Sequence, residues 1–188
     1  FTLATLAPPS GFTVEGGADV SSVGDLNSDG FDDFAVTAGA SSYIIYGAAS
    51  GLGDIDLATF TASDGFVVSR TVPGDGSGLS VHSAGDVNGD GIDDLVVGAG
   101  NADTANGGDS GETYVIYGKE GGPGNIDLAT LSASEGFKIS GERGGDTSGS
   151  AVSSAGDFNG DGFDDLLVAA PNGGYGYGAF YLIYGHSG

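Results

Sequence analysis

Cysteine and methionine are both absent from this 188-residue chain, and only 4 lysines and arginines stand against 26 aspartates and glutamates. Without cysteine there is no disulfide framework, zinc–thiolate centre or thiol nucleophile. That absence suits an oxidising exterior but does not by itself settle the compartment. The net charge of −22 repels phosphate backbones, so nucleic acid is not expected as a partner. No run approaches the ~18 apolar residues of a transmembrane helix, and no membrane insertion is expected. No secretion leader is visible at Phe1, and the chain opens mid-pattern, as a mature or excised piece would.

What is present is glycine, at 39 positions, with hydrophobic residues making up 39% of the chain. So apolar a composition excludes an acidic disordered tail. Collagen would need glycine at every third position, and that period is missing. An all-β class with many tight turns fits best. Glycine falls too often for an apolar stripe of helical period to persist, so no helix is expected.

The chain repeats itself three times. Leu-Ala-Thr occurs at Leu3, Leu57 and Leu128, and a Gly-Phe pair follows at Gly11, Gly65 and Gly136. Next come GDLNSDGFDDFAV from Gly24, GDVNGDGIDDLVV from Gly85 and GDFNGDGFDDLLV from Gly156. Each unit closes on a tyrosine strand: YIIYG, YVIYG and YLIYG, from Tyr43, Tyr114 and Tyr181. Units of about 1–54, 55–125 and 126–188 follow, within one repeat domain. Each reads as four short strands. The first covers residues 12–15, 66–69 and 137–140, and the second lies around Val20, Val81 and Val152. The third covers 33–37, 94–97 and 165–168, and the fourth 43–46 and its copies. The third is apolar on consecutive residues, as a strand covered on both faces must be.

Four-stranded units at this period predict antiparallel β-propeller blades, which bury their faces by stacking around an axis. A solenoid of small sheets is the competing architecture. The chain begins on what reads as an outer strand and ends one short. Three blades do not close a ring. Two copies are therefore expected to form a six-bladed homodimeric ring, unless the chain is part of a longer ring.

The repeated D-x-N-x-D-G-x-x-D segment carries the chemistry. The expected ligands in the first copy are Asp25, Asn27, Asp29 and Asp33 with the carbonyl of Phe31. The second copy offers Asp86, Asn88, Asp90, Asp94 and the Ile92 carbonyl, and the third Asp157, Asn159, Asp161, Asp165 and the Phe163 carbonyl. All are hard oxygen donors, which select calcium over zinc or copper. Three Ca²⁺ ions per chain are expected. Three carboxylates in so short a loop repel one another strongly without a cation. An EF-hand would need a bidentate glutamate at position twelve and flanking helices. That position holds Val36, Val97 and Val168, inside an apolar run. The alternative is a plain Asp/Gly turn without metal, which three copies with every ligand position retained argue against. The adjacent Asp32, Asp93 and Asp164 are read as exposed acids starting the strand rather than as further ligands.

These motifs resemble the FG-GAP repeats of integrin α-subunit propellers and of many bacterial surface proteins, over nearly the whole chain. The resemblance implies a blade with its calcium loop between the first and second strands, an extracellular or cell-surface location, and an adhesive or ligand-binding role. The Phe-Gly that precedes the first strand in the family is replaced here by Gly78-Leu79 and Gly149-Ser150. The RGGD at residues 143–146 is not an RGD motif.

The expected function is accordingly a calcium-binding adhesion or ligand-binding module, with calcium structural and no catalysis. The alternatives are an architectural spacer, or a non-catalytic accessory domain of a secreted hydrolase or lectin. A protein or carbohydrate ligand would meet the loops opposite the calcium loops: residues 70–78, 141–149, 101–112 and 171–178. There Tyr175 and Tyr177 could stack on a ligand and Arg70 and Arg143 could meet an acid. The two histidines, His82 and His186, have no nucleophile or base in recognisable context.

Overall fold

The computed structural model describes residues 11–50, 52–70 and 79–187. The chain is all-β. Its strands are β1 (Val14–Glu15), β2 (Asp19–Gly24), β3 (Asp33–Ala38), β4 (Ser41–Ile45), β5 (Ile55–Asp56), β6 (Gly65–Ser69) and β7 (Leu79–Gly85). They continue with β8 (Asp94–Ala99), β9 (Glu112–Ile116), β10 (Ile126–Asp127), β11 (Gly136–Ser140), β12 (Ala151–Gly156), β13 (Asp165–Ala170) and β14 (Ala179–Ile183). Short 3-10 turns at Leu57–Thr59 and Leu128–Thr130 follow β5 and β10, each capped by the preceding aspartate. A single tight turn at Gly173–Gly176 precedes β14.

The strands assemble into three antiparallel sheets, none of them closed. The first runs β6-β4-β3-β2, the second β11-β9-β8-β7 and the third β12-β13-β14. Each of the first two takes its fourth strand from the next repeat: β6 pairs with β4, and β11 with β9. The third sheet has three strands among the described residues. Two further pairings were not expected from the sequence. β5 runs parallel to β1, and β10 runs parallel to β6.

Packing follows from the apolar third strands. Leu95, Val96 and Val97 in β8 are all fully buried. Leu95 and Val97 face the first sheet, where they meet Val23, Ala35, Ile44, Phe66 and Val68. Val96 faces the third sheet with Val115 and Val87, against Val152, Leu166 and Val168. Each such side chain contributes roughly 1.5–3 kcal/mol when removed from water. The outer sheets show what a missing neighbour does. Val81 and Val152 are 4% exposed, whereas Val20 at the matching place in β2 is 71% exposed. Likewise Ala35 and Val96 are buried, but Leu167 in β13 is 41% exposed.

Each second strand ends in a register shift, at Ser22/Gly24, Ser83/Gly85 and Ser154/Gly156. The glycine there has φ of 77°, 72° and 64°, a left-handed conformation that glycine adopts without strain. The resulting bulge turns the chain out of the sheet and into the aspartate loop.

Candidate metal loops

The three loops leave their sheets by the same route and close by the same hydrogen bonds. Asp25 at position one accepts the amide of Asp29 on Oδ1 at 3.1 Å and that of Gly30 on Oδ2 at 2.8 Å. Asn27 also accepts from Asp29, at 3.0 Å, and Asp29 accepts from Phe31 at 2.9 Å. The second loop repeats this with Asp86, Asn88 and Asp90, and the third with Asp157, Asn159 and Asp161. Gly30, Gly91 and Gly162 have φ of 90°, 87° and 95°, and the chain reverses there. The carbonyls of Phe31, Ile92 and Phe163 accept no hydrogen bond from the described residues.

The ninth-position aspartate is the floor of each loop. Asp33 takes the Leu26 amide on Oδ2 at 3.0 Å and the Gly47 amide on Oδ1 at 2.9 Å. Asp94 takes Val87 and Gly118 at 3.0 and 2.9 Å, and Asp165 takes Phe158 and Gly185, both at 3.0 Å. Glycine is required at the donating end. A Cβ on Gly47 or Gly118 would run into the backbone of Asp32 or Asp93. All three carboxylates are at most 2% exposed. Burial pushes the Asp33 carboxyl up to about 6, against its two amide hydrogen bonds, with the charges of Asp25 and Asp29 adding to the rise. Burial likewise pushes Asp94 up to about 7, with Asp90 and Asp86 adding. Tyr46 and Tyr117 are raised as well, first by burial and then by the charges of Asp33 and Asp94.

Each loop thus gathers three carboxylates, one of them buried, and among the described residues none is paired with a lysine or arginine. The donor set is carboxylate, amide and carbonyl oxygen throughout, which fits a hard divalent cation. As they stand, the side chains are turned onto loop amides. Among the described residues no three acidic or histidine side chains converge closely enough to hold an ion. A carboxylate oxygen that accepts one amide retains a second lone pair, so the set suits the ion chemically but must draw inward to bind it.

The eighth-position acids are not the plain exposed residues expected. Asp93 Oδ2 accepts the backbone amide of Asp25 in the preceding loop at 3.0 Å, and Asp164 Oδ2 accepts that of Asp86 at 3.0 Å. Only Asp32 in the first unit is exposed. Sequence reasoning missed this because the partner lies one repeat away. The recurrence of two adjacent aspartates in all three copies was the available signal.

At the opposite ends of the strands, residues 101–112 and 141–149 are laced together. The amides of Gly144, Thr147 and Ser148 donate to the carbonyls of Asn106, Asp109 and Ser110, at 3.0 Å each. Arg143 lies 4.3 Å from the ring centroid of Tyr175, and Tyr177 is 93% exposed. Arg70 does not stand free to meet a ligand. It is buried against Glu112 at 3.1 Å and Tyr114 at 3.1 Å, and Lys138 reaches the same carboxylate at 3.0 Å. Residues 71–78 of the expected ligand face lie outside the described residues. His82 and His186 are both exposed.

The family model "FG-GAP repeat" matches residues 77–116 and 148–183, and those two segments are FG-GAP repeats. The chain is also similar to a curated protein named phosphatidylinositol-glycan-specific phospholipase D from Mus musculus, 40% identical over 111 residues. The protein of that name from Rattus norvegicus is 39% identical over 113 residues. Each match covers 56% of this chain but only 12% and 13% of the relative.

Proposed function

We propose that this FG-GAP repeat chain is a calcium-stabilised β-propeller module of an extracellular protein, whose three loops each hold one structural Ca²⁺. The buried ninth-position carboxylates support this reading most directly. Asp33 and Asp94 sit below two further acids without a basic partner, and both are held far from the ordinary aspartate value. Burial is the main cause and the neighbouring acids add to it; a bound divalent cation would offset both by stabilising the charged carboxylates. In the first loop the side-chain oxygens of Asp25, Asn27, Asp29 and Asp33 with the Phe31 carbonyl would supply the coordination, and their counterparts would do so in the other two loops. The three antiparallel sheets stacked face to face through shared cores support the blade reading.

The module's role is binding or adhesion rather than catalysis, through the laced loops around Arg143 and Tyr175. A second reading is an accessory domain of a secreted enzyme. It is favoured by the likeness to relatives named as phospholipases, of whose length the match covers about one-eighth. Closure of a ring requires further blades. A second copy of the chain, docking its first blade on β14, is the arrangement we favour.

The test is thermal unfolding of the decalcified protein with chelator and with millimolar Ca²⁺. A clear rise in Tm with calcium is expected. Identical curves would remove the structural role of the ion.

A further inference from the structure

The three loops have near-identical sequences, yet their surroundings differ in a graded way. The first loop is clasped by the second unit. Asp93 holds the Asp25 amide, and the amides of Lys119 and Gly121 donate to the carbonyls of Leu26 and Asn27 at 3.1 and 2.9 Å. The second loop is clasped by the third unit. Asp164 exchanges two hydrogen bonds with Asp86, its carboxylate accepting the Asp86 amide and its own amide donating to the Asp86 carbonyl, both at 3.0 Å. His186 adds a backbone bond to the Val87 carbonyl at 3.0 Å. The third loop has no such neighbour among the described residues.

Burial records the same gradient. Leu26 and Val87 are 1% and 3% exposed, and Phe158 at the same place in the third loop is 69% exposed. Asp25 and Asp86 are half-buried, whereas Asp157 is exposed. The fit of each clasp is tight. A Cβ on Gly24 or Gly85 would collide with the carboxylate of Asp93 or Asp164, while the equivalent position at Gly156 meets nothing.

We propose that Asp93 and Asp164 are positioning residues, each bracing the ion loop of the preceding unit, so that in the monomeric chain the first two loops take calcium more tightly than the third. This rests on the calcium reading above. The first aspartate of each loop must orient both oxygens, toward the loop amides and toward the ion. Fixing its backbone amide from outside removes freedom that the ion would otherwise have to remove on binding. A hydrogen bond to a charged acceptor is about twice as strong as a neutral one, so the clasp holds that amide firmly. Ion loading and packing of the next unit are therefore linked: each favours the other by the same factor.

The experiment is a calcium titration followed by the backbone amide signals of Gly30, Gly91 and Gly162 in two-dimensional NMR, one reporter per loop. Each of these amides donates to the position-one carboxylate, at 2.8, 2.8 and 3.0 Å. Gly30 and Gly91 are expected to titrate first, and Gly162 at about ten-fold higher calcium, the worth of one charge-assisted hydrogen bond. Asp164→Ala is expected to move Gly91 about ten-fold higher and leave Gly30 in place. Asp93→Ala should do the reverse, and Asp32→Ala should move neither. Asp164→Asn loses the charge but keeps an acceptor, and should restore Gly91 most of the way. Equal shifts for the Ala and Asn variants would overturn the positioning role in favour of bare charge. So would an unmoved Gly91, or Gly162 titrating together with Gly91 in protein whose mass in solution is that of the monomer. If no reporter responds to calcium in any variant, the calcium reading itself falls, and this inference with it.

Discussion

Asp94 Oδ1 accepts the amide of Gly118 at 2.9 Å, fastening the end of the aspartate loop to the chain that leaves β9. The same carboxylate holds the Val87 amide at 3.0 Å, so one buried side chain ties three segments together. Its role in the fold and its proposed role toward the ion are inseparable. Asp94→Ala should therefore destabilise even the calcium-free protein, by about 2–4 kcal/mol, since two buried amides lose their acceptor. Urea unfolding in chelator measures this. Wild-type stability in that variant would show that the amides find other partners.

Calcium should add stability beyond that scaffold. At one hundred times the dissociation constant each ion contributes about 2.7 kcal/mol. For extracellular modules that constant is roughly 10⁻⁴–10⁻³ M. Denaturation midpoints should accordingly rise steadily with calcium across the millimolar range. Magnesium, which resists dehydration, should shift them much less.

Gly85→Ala tests the close approach between neighbouring units. The residue has φ of 72°, and a Cβ there would meet the Asp164 carboxylate. The left-handed backbone alone costs about 1–2 kcal/mol for a non-glycine residue. The collision should raise the loss further, and relocating the Asp164 side chain should weaken calcium binding at the second loop. Gly156→Ala has the same backbone strain without the collision, since nothing lies near its Cβ. A smaller loss is expected there, read by the difference in Tm between the two variants.

Glu112 predicts an acid limb in the stability profile. Burial alone would raise its carboxyl. Hydrogen bonds from Tyr114 and Lys138, with the charges of Lys138 and Arg70, outweigh burial and hold it below the ordinary glutamate value of 4.5. A carboxylate whose folded value is depressed contributes stability that is fully present above the unfolded value. That contribution is lost as pH falls below 4.5 through the folded one. In calcium-free protein Asp33 and Asp94, being raised, act with the opposite sign between about pH 4 and 7. The difference between wild type and Glu112→Gln isolates the glutamate: it should be constant near neutrality and shrink below pH 4.5. At neutral pH, Glu112→Ala should cost about 3–5 kcal/mol, because the buried carboxylate that Arg70, Tyr114 and Lys138 all donate to is removed.

Much of this architecture was legible in the sequence. The strand positions followed from the apolar run after each aspartate loop and from the segments starting at Tyr43, Tyr114 and Tyr181, which are rich in β-branched and aromatic residues. Burial of Leu95, Val96 and Val97 on both faces was readable from their consecutive apolar character. Four features were not. The parallel pairs β1-β5 and β10-β6 are two residues long, too short for any periodicity to register. The short turn at Gly173–Gly176 holds Tyr175 at φ of 63°, which a sequence rich in glycine does not single out. The bond from Asp93 to Asp25 spans 68 positions, and its existence depends on how neighbouring sheets stack rather than on local pattern. The commitment of Arg70 to Glu112 was hidden for the same reason. An arginine in a loop reads as available until the strand that carries its partner is placed beside it.

Counting ions on the intact chain tests the central claim most directly. Native mass spectrometry of protein first stripped with chelator, then equilibrated with calcium, should show three bound Ca²⁺ per chain. Replacing Asp29, Asp90 or Asp161 by alanine should each remove one. A chain that stays free of calcium throughout that series, or that keeps three ions in each of the variants, would contradict the account.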